Sequence, residues 1–386
     1  MTSATTHATP AVHTWPIATF GRLCVSDALG NTQPLKPLDE HLDAALAWLE
    51  RAHDQALRGG VSYGYSLRGG WLPPYRETSG YILTTFYRAA DALARPQLAQ
   101  RAEQVARWLV SVQNEDGSFA NPKYGSDGIV FDTGQDLFGL VTAWERTRDP
   151  VFLQAAQRAG AWLVKVADEF GIWTRFEHKN TPHVYNTRTA WALLRLNEVD
   201  PQPQWVRVAR TNLDWAVACQ RDSGFFDHNA FVEGDAPYTH NISYAICGLQ
   251  ESGWLLGDDR YLASARRCSE AARTLMRSDG LIPGQIDPQG TPAASYSCLT
   301  GQCQLAIVWA KQFAQTGEAE LQAVAQRSLR FVMSHQRCGD GNPGVRGAIA
   351  GSFPVYGRYA PLSYPNWASK FFVDAALLQR AWSRSA

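Results

Sequence analysis

Two acidic residues stand at equivalent points of a repeating pattern and could carry out acid–base chemistry. Glu77 lies in the segment YRETSGYIL and Asp132, 55 residues later, lies in FDTGQDLFGL. Both precede an apolar stretch. Hydrolysis of a glycosidic bond uses two carboxyl groups, one as acid and the other as base or nucleophile. The pair therefore predicts glycoside hydrolysis, the reaction that we favour, with Glu77 and Asp132 as catalytic residues.

A second set of side chains suits another reaction of sugars. Elimination from a uronate, or its C5 epimerisation, needs a base such as Tyr or His beside cationic or amide groups that stabilise an enolate-like intermediate. The segments YNTRTAWALL and THNISYAICGL provide such groups. They are Tyr185, Arg188, His240, Asn241 and Tyr244. A uronate polysaccharide lyase or a C5-epimerase is thus the alternative to a hydrolase.

These residues open helices that recur along the whole chain. Segments with a polar start and an apolar continuation begin at Glu77, Asp132, Asn186, His240, Thr300 and Asn366, with spacings of 55, 54, 54, 60 and 66 residues. Their apolar character nearly all round predicts buried helices. Amphipathic segments alternate with them and are centred on Trp48, Trp108, Trp162, Trp215, Leu275 and Phe331. Six buried and six amphipathic helices form six hairpins.

Six such hairpins predict an all-α fold, an (α/α)6 barrel with an inner and an outer layer of helices. We expect residues 36–386 to form this barrel as a single catalytic domain. Residues 1–35 are rich in Thr, Ala and Pro, and they predict an N-terminal tail or wrap.

Parallel inner helices would bring their polar starts together at one mouth of the barrel. Asn and Thr at helix starts are also ordinary caps, but capping does not explain Arg188 and Lys370 in first turns, where cations oppose the helix dipole. The residues predicted to bind substrate there are Trp71, Tyr75, Arg76, Gln135, Trp173, Asn186, Asn241, Tyr244, Gln302, Tyr364, Asn366, Trp367 and Lys370.

Charge at this mouth favours an acidic sugar over a neutral one. Converging helix N-termini create a positive potential, and Arg76, Arg188 and Lys370 add to it, so we expect a uronate in the oligo- or polysaccharide substrate. The same potential should lower the pKa of Glu77 and Asp132 unless burial opposes it. The sequence contains no motif for a metal or a cofactor, and none is predicted.

One turn and the helix after it resemble a known superfamily. QNEDGSF, residues 113–119, followed by FDTGQDLFGL, resembles the Q-x(2-5)-G-x-W/F turn and inner helix of α/α toroid proteins. These include terpenoid cyclases and protein prenyltransferases, and six-hairpin glycosidases share the architecture. GGWLPPYRETSGY, YNTRTAWALL, CLTGQCQLA and YPNWASKFF are also similar to segments of uncharacterised bacterial toroid proteins associated with polysaccharide gene clusters.

The resemblance implies a toroid and adds terpenoid cyclase or prenyltransferase chemistry to the alternatives. The sequence lacks the DxDD motif of protonating cyclases, and its Cys298 and His240 stand in the wrong order for prenyltransferase zinc ligands. A noncatalytic glycan-binding protein is a further alternative, since 14 Trp, 14 Tyr and 16 Phe provide rings for stacking on sugars.

Composition limits the partners and the compartment. Lys plus Arg and Asp plus Glu number 36 each, which argues against a nucleic-acid or anionic-membrane partner. The seven cysteines are scattered without a CxxC pair, which is typical of free thiols in the cytoplasm. The start of the sequence contains neither a signal peptide nor a transmembrane segment, so we expect a cytoplasmic protein. The pattern does not indicate an oligomeric state.

Overall fold

The computed structural model describes residues 17–57, 59–121 and 125–385, and twelve of its helices form a barrel. The inner helices are α3 (Arg76–Leu93), α5 (Val130–Thr147), α7 (Thr187–Val199), α9 (Thr239–Leu256), α11 (Leu299–Thr316) and α13 (Asn366–Ser385). The outer helices are α2 (Leu38–Asp54), α4 (Pro96–Val112), α6 (Pro150–Val166), α8 (Pro203–Ala218), α10 (Asp259–Thr274) and α12 (Ala319–Met333).

The inner helices form a closed ring. Each packs against the next one in the sequence, and α13 packs against α3. All six are buried along most of their length. The predicted (α/α)6 barrel is confirmed.

The tight hairpins join each inner helix to the outer helix that follows it. Their connections are only two or three residues long, because a left-handed residue such as Ala94 or Arg148 ends the inner helix and Pro96 or Pro150 begins the outer one. Helix α2 packs instead on α13, so the two ends of the barrel chain close the ring. The connections from outer to inner helices are long and gather at the end where the inner helices begin.

Glycines allow the inner helices to approach each other closely. A Cβ on Gly80 in α3 would collide with the backbone of Asp136 in α5, and a Cβ on Gly248 in α9 would collide with Thr187 in α7. Larger residues at these points would force the helices apart. The small residues of the inner helices therefore set the width of the barrel.

The glutamine of the repeated turn has a structural function. Gln113 donates from Nε2 to the carbonyls of Gly117 and Ala155, and Gln220 donates in the same way to Gly224 and Ser264. Each glutamine thus ties its own turn to the next outer helix. The Q-x-x-x-G pattern stabilises the repeat and lies outside the cavities described below.

Short strands connect the loops that lie over the helix starts. Strands β1 (Gly64–Ser66), β2 (Gly70–Trp71) and β5 (Ser363–Pro365) form one antiparallel sheet in the order β2-β1-β5. Strands β3 (Ser297–Cys298) and β4 (Ser352–Phe353) form the other. The β1–β5 pair joins the loop before α3 to the loop before α13, so the first and last repeats are linked here too.

The predicted tail or wrap includes one helix, α1 (Ile17–Ala28). Its Leu23 is buried, and its Asp27 accepts hydrogen bonds from Arg337 Nη2 at 2.6 Å and from the Val355 backbone N–H at 2.9 Å. Helix α1 is thereby attached to the loop before α13. Residues 1–16 lie outside the described residues. None of the described helices has the length and apolar character needed to cross a bilayer.

Candidate active site

A cavity of about 590 Å³ opens at the end of the barrel where the inner helices begin. We call it the mouth cavity. Eight of the residues predicted from the sequence line it: Tyr75, Glu77, Asp132, Tyr185, His240, Asn241, Tyr244 and Trp367. They come from inner helices α3, α5, α9 and α13 and from the segments just before α3 and α7, as expected if the helix starts converge.

A tyrosine hydroxyl links the two predicted catalytic carboxyl groups. Tyr75, just before α3, donates to Oδ2 of Asp132 at 3.3 Å, and it also hydrogen-bonds Glu77. Its hydroxyl accepts a hydrogen bond of 2.7 Å from Nδ2 of Asn121. Glu77 has a second hydroxyl partner in Tyr81. The two carboxyl groups therefore lie in one hydrogen-bonded network at the floor of the mouth cavity.

Burial makes both carboxyl groups weaker acids than usual. It raises the pKa of Glu77 to about 7, although hydrogen bonds from Tyr75 and Tyr81 and the charge of Arg188 act in the opposite direction. Burial, reinforced by the negative charges of Glu77 and Asp136, raises the pKa of Asp132 well above its ordinary value. The exception stated with the prediction therefore applies, because burial outweighs the helix field and raises both pKa values.

A third carboxyl group in the cavity was missed by the sequence analysis. Glu177, in the loop between α6 and α7, is 4% exposed, and burial raises its pKa to about 8. It does not stand at the start of an inner helix, so the repeat pattern gave no signal for it. Its neighbour Phe176 and the following Lys179 and Asn180 have positive φ angles of 61°, 62° and 51°. Such strained backbone in non-glycine residues is often found at functional sites.

His240 is present in the cavity as a neutral imidazole. Burial lowers its pKa to about 3, and the charge of Arg188 acts in the same direction. Its Nδ1 lies 2.9 Å from Oε1 of Gln304, so Nδ1 carries the proton and Nε2 is the free acceptor. Since the protonated form is so unfavourable, this histidine is a weak base.

One amide in the cavity wall lacks a partner. Asn241 is fully buried, and neither its Oδ1 nor its Nδ2 has a hydrogen-bond partner among the described residues. Buried polar groups are normally paired, so an unpaired amide that faces a cavity suits the hydroxyl groups of a sugar.

Aromatic rings form much of the remaining wall. The ring of Tyr63 lies 5.1 Å from that of Tyr75 and 4.8 Å from that of Trp367. Five other wall residues were missed as site residues by the sequence analysis: Tyr81, Phe131, Phe231, Tyr238 and Tyr359. Four of these five lie beyond the first turn of an inner helix or in a loop, where a search of helix starts does not find them.

Two predicted cations face away from the mouth cavity. Arg188 and Lys370 lie below its floor and line a second cavity at the opposite end of the barrel. Their long side chains extend away from the helix starts, so their place in the first turns was misleading. Arg76 is also elsewhere, since its Nη1 donates to the Ala120 carbonyl at 2.8 Å. Among the described residues, the lysine and arginine that line the mouth cavity are Lys179 and Arg358, both on its exposed rim.

Several predicted substrate contacts are structural instead. Trp71 packs against Trp48, with ring centres 5.3 Å apart. Trp173 is fully buried and donates to the Leu163 carbonyl.

Four predicted polar contacts and one tyrosine are likewise used within the fold. Gln135 accepts from Arg188, and Gln302 accepts from the backbone N–H of Ile282. Asn186 accepts from Thr189, and Asn366 donates to Ser62 and Thr78. Tyr364 is a buried residue of β5, opposite Tyr65.

No group of three His, Cys, Asp or Glu side chains within residues 17–57, 59–121 and 125–385 is arranged to hold a metal ion.

Comparisons with known proteins support the architecture. No family model and no curated protein matches the chain. Among solved structures, a heparin-specific unsaturated glucuronyl hydrolase is similar with a TM-score of 0.71 and 14% identity, over 90% of this chain and 98% of that one. The unsaturated glucuronyl hydrolase from Bacillus sp. GL1 has a TM-score of 0.70 and 15% identity, over 88% and 96%.

A cellobiose 2-epimerase from Bacillus thermoamylovorans is similar too, with a TM-score of 0.66 and 12% identity over 94% of this chain and all of that one. At such low identities the likeness establishes the α/α toroid fold.

Proposed function

We propose that the protein is an enzyme that hydrolyses glycosidic bonds in a uronate-containing oligo- or polysaccharide. The observation that carries this proposal is the group of buried carboxyls with raised pKa values on the floor and wall of an aromatic-lined cavity. Carboxyl groups that keep a proton near neutral pH are what general acid catalysis of glycoside cleavage requires.

The environments of the two main carboxyl groups suggest different roles. Glu77 hydrogen-bonds two tyrosines and is attracted by Arg188, which favours its ionised form. Asp132 has one tyrosine donor and faces the charges of Glu77 and Asp136, which favours its protonated form. Asp132 then donates a proton to the leaving oxygen, and Glu77 acts as the carboxylate that serves as base or nucleophile. Glu177 is a third candidate for proton transfer.

Elimination and epimerisation are less well supported. Both need a cation beside the substrate carboxylate at the reacting sugar, and Arg188 lies outside the mouth cavity. Both also need an effective base, and His240 has a pKa lowered by burial to about 3. The similarity to a cellobiose 2-epimerase keeps epimerisation as the second candidate.

The uronate specificity is proposed from the rim and from the comparisons. Within the described part of the chain, Lys179 and Arg358 line the exposed rim of the mouth cavity, where Asp127 is the one exposed carboxylate among the described lining residues. A substrate carboxylate would contact them at the rim while neutral hydroxyl groups meet Asn241 and the carboxyls inside. The similar structures include enzymes described as hydrolases of unsaturated glucuronyl groups.

The test is a panel of saturated uronate oligosaccharides, unsaturated uronate disaccharides and cellobiose. The proposal predicts new reducing ends from a uronate substrate with no gain in ultraviolet absorbance from a C4–C5 double bond. A gain in absorbance would indicate a lyase, and solvent deuterium in uncleaved sugar would indicate an epimerase. Either result, or binding without turnover across the panel, would overturn the proposal.

A further inference from the structure

The barrel contains a second cavity, of about 320 Å³, at the end where the inner helices finish. We call it the far cavity. Its wall includes six cations, Arg88, Arg146, Arg188, Arg195, Lys311 and Lys370. The carboxylates in the same wall are three, Asp91, Glu145 and Asp374.

The outer part of the far cavity is electrically balanced. Arg146 pairs with Asp91 at 2.7 Å, and Arg195 pairs with Glu145 at 2.7 Å. Lys311 pairs with Glu251 at 2.5 Å. Each of these three cations therefore has its own carboxylate.

The inner part contains a buried cation, Arg188, that no ion pair among the described residues neutralises. Lys370 and Arg88 share Asp374, at 2.7 and 3.5 Å, and the side chains of Lys370 and Asp374 are each 3% exposed. Arg188 forms no ion pair with any described residue. The Arg88 side chain is 53% exposed, so solvent screens its charge. Lys370 and Asp374 balance each other, which leaves Arg188 as a buried cation with no described carboxylate in direct contact, although it feels the charge of Glu77 from the mouth side.

Arg188 has hydrogen-bonding capacity to spare. It is 5% exposed, its Nε donates to Oε1 of Gln135 at 2.6 Å, and its Nη1 lies 3.5 Å from Sγ of Cys247. Its Nη2 has no acceptor among the described residues. Five aromatic rings surround the guanidinium, with its Cζ 5.0 to 5.8 Å from their centres. These rings stabilise a cation but do not neutralise it.

We propose that the far cavity binds a small oxyanion, such as a carboxylate or phosphate group, between the guanidinium of Arg188 and the ammonium of Lys370. A planar guanidinium with free N–H groups and a buried ammonium together match the oxygens of such an anion. The anion would give Arg188 the direct counter-charge that it lacks. Burial lowers the pKa of Lys370 to about 7, and the charges of Arg88 and Arg188 act in the same direction, whereas Asp374 acts against them. This site is separate from the mouth cavity and does not depend on the proposed hydrolysis.

Selenate, an oxyanion with a strong anomalous signal, gives the direct test. In crystals of the full chain soaked in selenate, we expect an anomalous peak within hydrogen-bond distance of both Arg188 and Lys370. Peaks confined to the mouth cavity or the outer surface would overturn the proposal. This result is read on the unaltered protein, so it does not depend on whether a variant folds.

A solution experiment adds matched variants. Titration with acetate or phosphate at constant ionic strength should raise the Tm of the unaltered chain and saturate, since ligand bound to the folded state stabilises it. Lys370→Met should weaken the apparent affinity roughly tenfold or more, as expected for loss of a charge-assisted hydrogen bond. Arg146→Gln removes a paired cation from the outer part of the cavity. This variant should keep the affinity of the unaltered chain for the anion. Equal responses in Lys370→Met and the unaltered chain would contradict the proposal.

The same titration distinguishes the two ligand chemistries. Tighter binding of acetate would point to a carboxylate ligand, and tighter binding of phosphate to a phosphate ligand.

Discussion

The two ends of the barrel differ in both loop length and charge. At the mouth, long loops surround a cavity whose floor and wall hold Glu77, Asp132 and Glu177. At the far end, connections of two or three residues leave a cavity whose wall is rich in arginine and lysine. Tyr81 is part of both cavities and marks the layer that separates them.

Helix dipoles explain part of this difference. Carboxylates are favoured near helix N-termini and cations near C-termini, which is the distribution at the two ends. Burial then decides protonation, because it raises the pKa of Glu77 to about 7 and of Glu177 to about 8 despite the field. A position near one end of a helix therefore favours residues of one charge. Desolvation then determines whether such a residue is ionised. Arg188 and Lys370 are exceptions, since they start near N-termini and reach the far cavity.

The largest expected effect is a loss of kcat in variants of the mouth that variants of the far end do not show. Asp132→Asn and Glu77→Gln should each lower kcat by roughly 10²-fold or more, because each removes a positioned proton-transfer group or carboxylate. Folding should be retained, since burial already favours the neutral form of both. Asp91→Asn makes the same kind of change at the rim of the far cavity and should keep kcat. Steady-state kinetics on a uronate disaccharide would refute this division if Asp91→Asn were as damaging as Asp132→Asn.

The second prediction compares stability at the two ends. Glu177 ionises near 4.5 when unfolded and near 8 when folded, so the folded state binds the proton more tightly and stability falls as pH rises between these values. Glu177→Gln removes this loss and should raise the free energy of unfolding at pH 8 by about 2–4 kcal/mol. No gain is expected at pH 4. Denaturant unfolding at both pH values measures the difference, with the exposed Glu115→Gln as a control.

A buried carboxylate of the far cavity should respond with the opposite sign. Burial acts to raise the pKa of Asp374, but the charges of Arg88 and Lys370 prevail and lower it. Its stabilising effect is therefore present above pH 3.8, the unfolded value, and is lost as pH falls through the lower folded value. Asp374→Asn should destabilise the protein at pH 7 by about 3–5 kcal/mol, because it leaves the buried ammonium of Lys370 without its carboxylate. Denaturant unfolding measures this change. A stabilising effect would show that Asp374 is not an ionised partner of these cations.

A smaller effect is expected at the rim of the mouth. Replacing Lys179 and Arg358 together by Ala should raise KM for an acidic disaccharide roughly tenfold and leave kcat nearly unchanged, because the lost contacts bind substrate and transition state equally. The KM for a neutral analogue should not change. Arg146→Ala at the far end is the matched control. Equal loss with acidic and neutral sugars would exclude a carboxylate contact at this rim.

The smallest effect concerns a tryptophan that the sequence assigned to the substrate. Trp173 is in the core, so Trp173→Phe should leave KM unchanged and lower the free energy of unfolding by about 1–3 kcal/mol through a lost hydrogen bond and poorer packing. Kinetics and denaturant unfolding of the same preparation test both parts. A raised KM with unchanged stability would indicate that Trp173 contacts the substrate after all.

The sequence predicted the fold more fully than the site. The spacing of Glu77, Asp132 and His240 reflects the length of a helical hairpin, so a periodic pattern is enough to infer the barrel and the convergence of these residues. Arg188 was misplaced because a long side chain can extend well away from its backbone position, and the pattern does not indicate its direction. Glu177 was missed because it lies on a loop, whose path depends on tertiary contacts.

We propose that substrate binds at the mouth, with its scissile bond over Asp132 and its carboxylate toward Lys179 and Arg358. A crystal structure of the Asp132→Asn variant, soaked with a saturated uronate disaccharide that the unaltered protein is found to cleave, tests this directly. We expect sugar density in the mouth cavity, with the glycosidic oxygen beside residue 132 and Glu77. Density for the sugar in the far cavity, or in the mouth with its glycosidic bond remote from both residues, would contradict it.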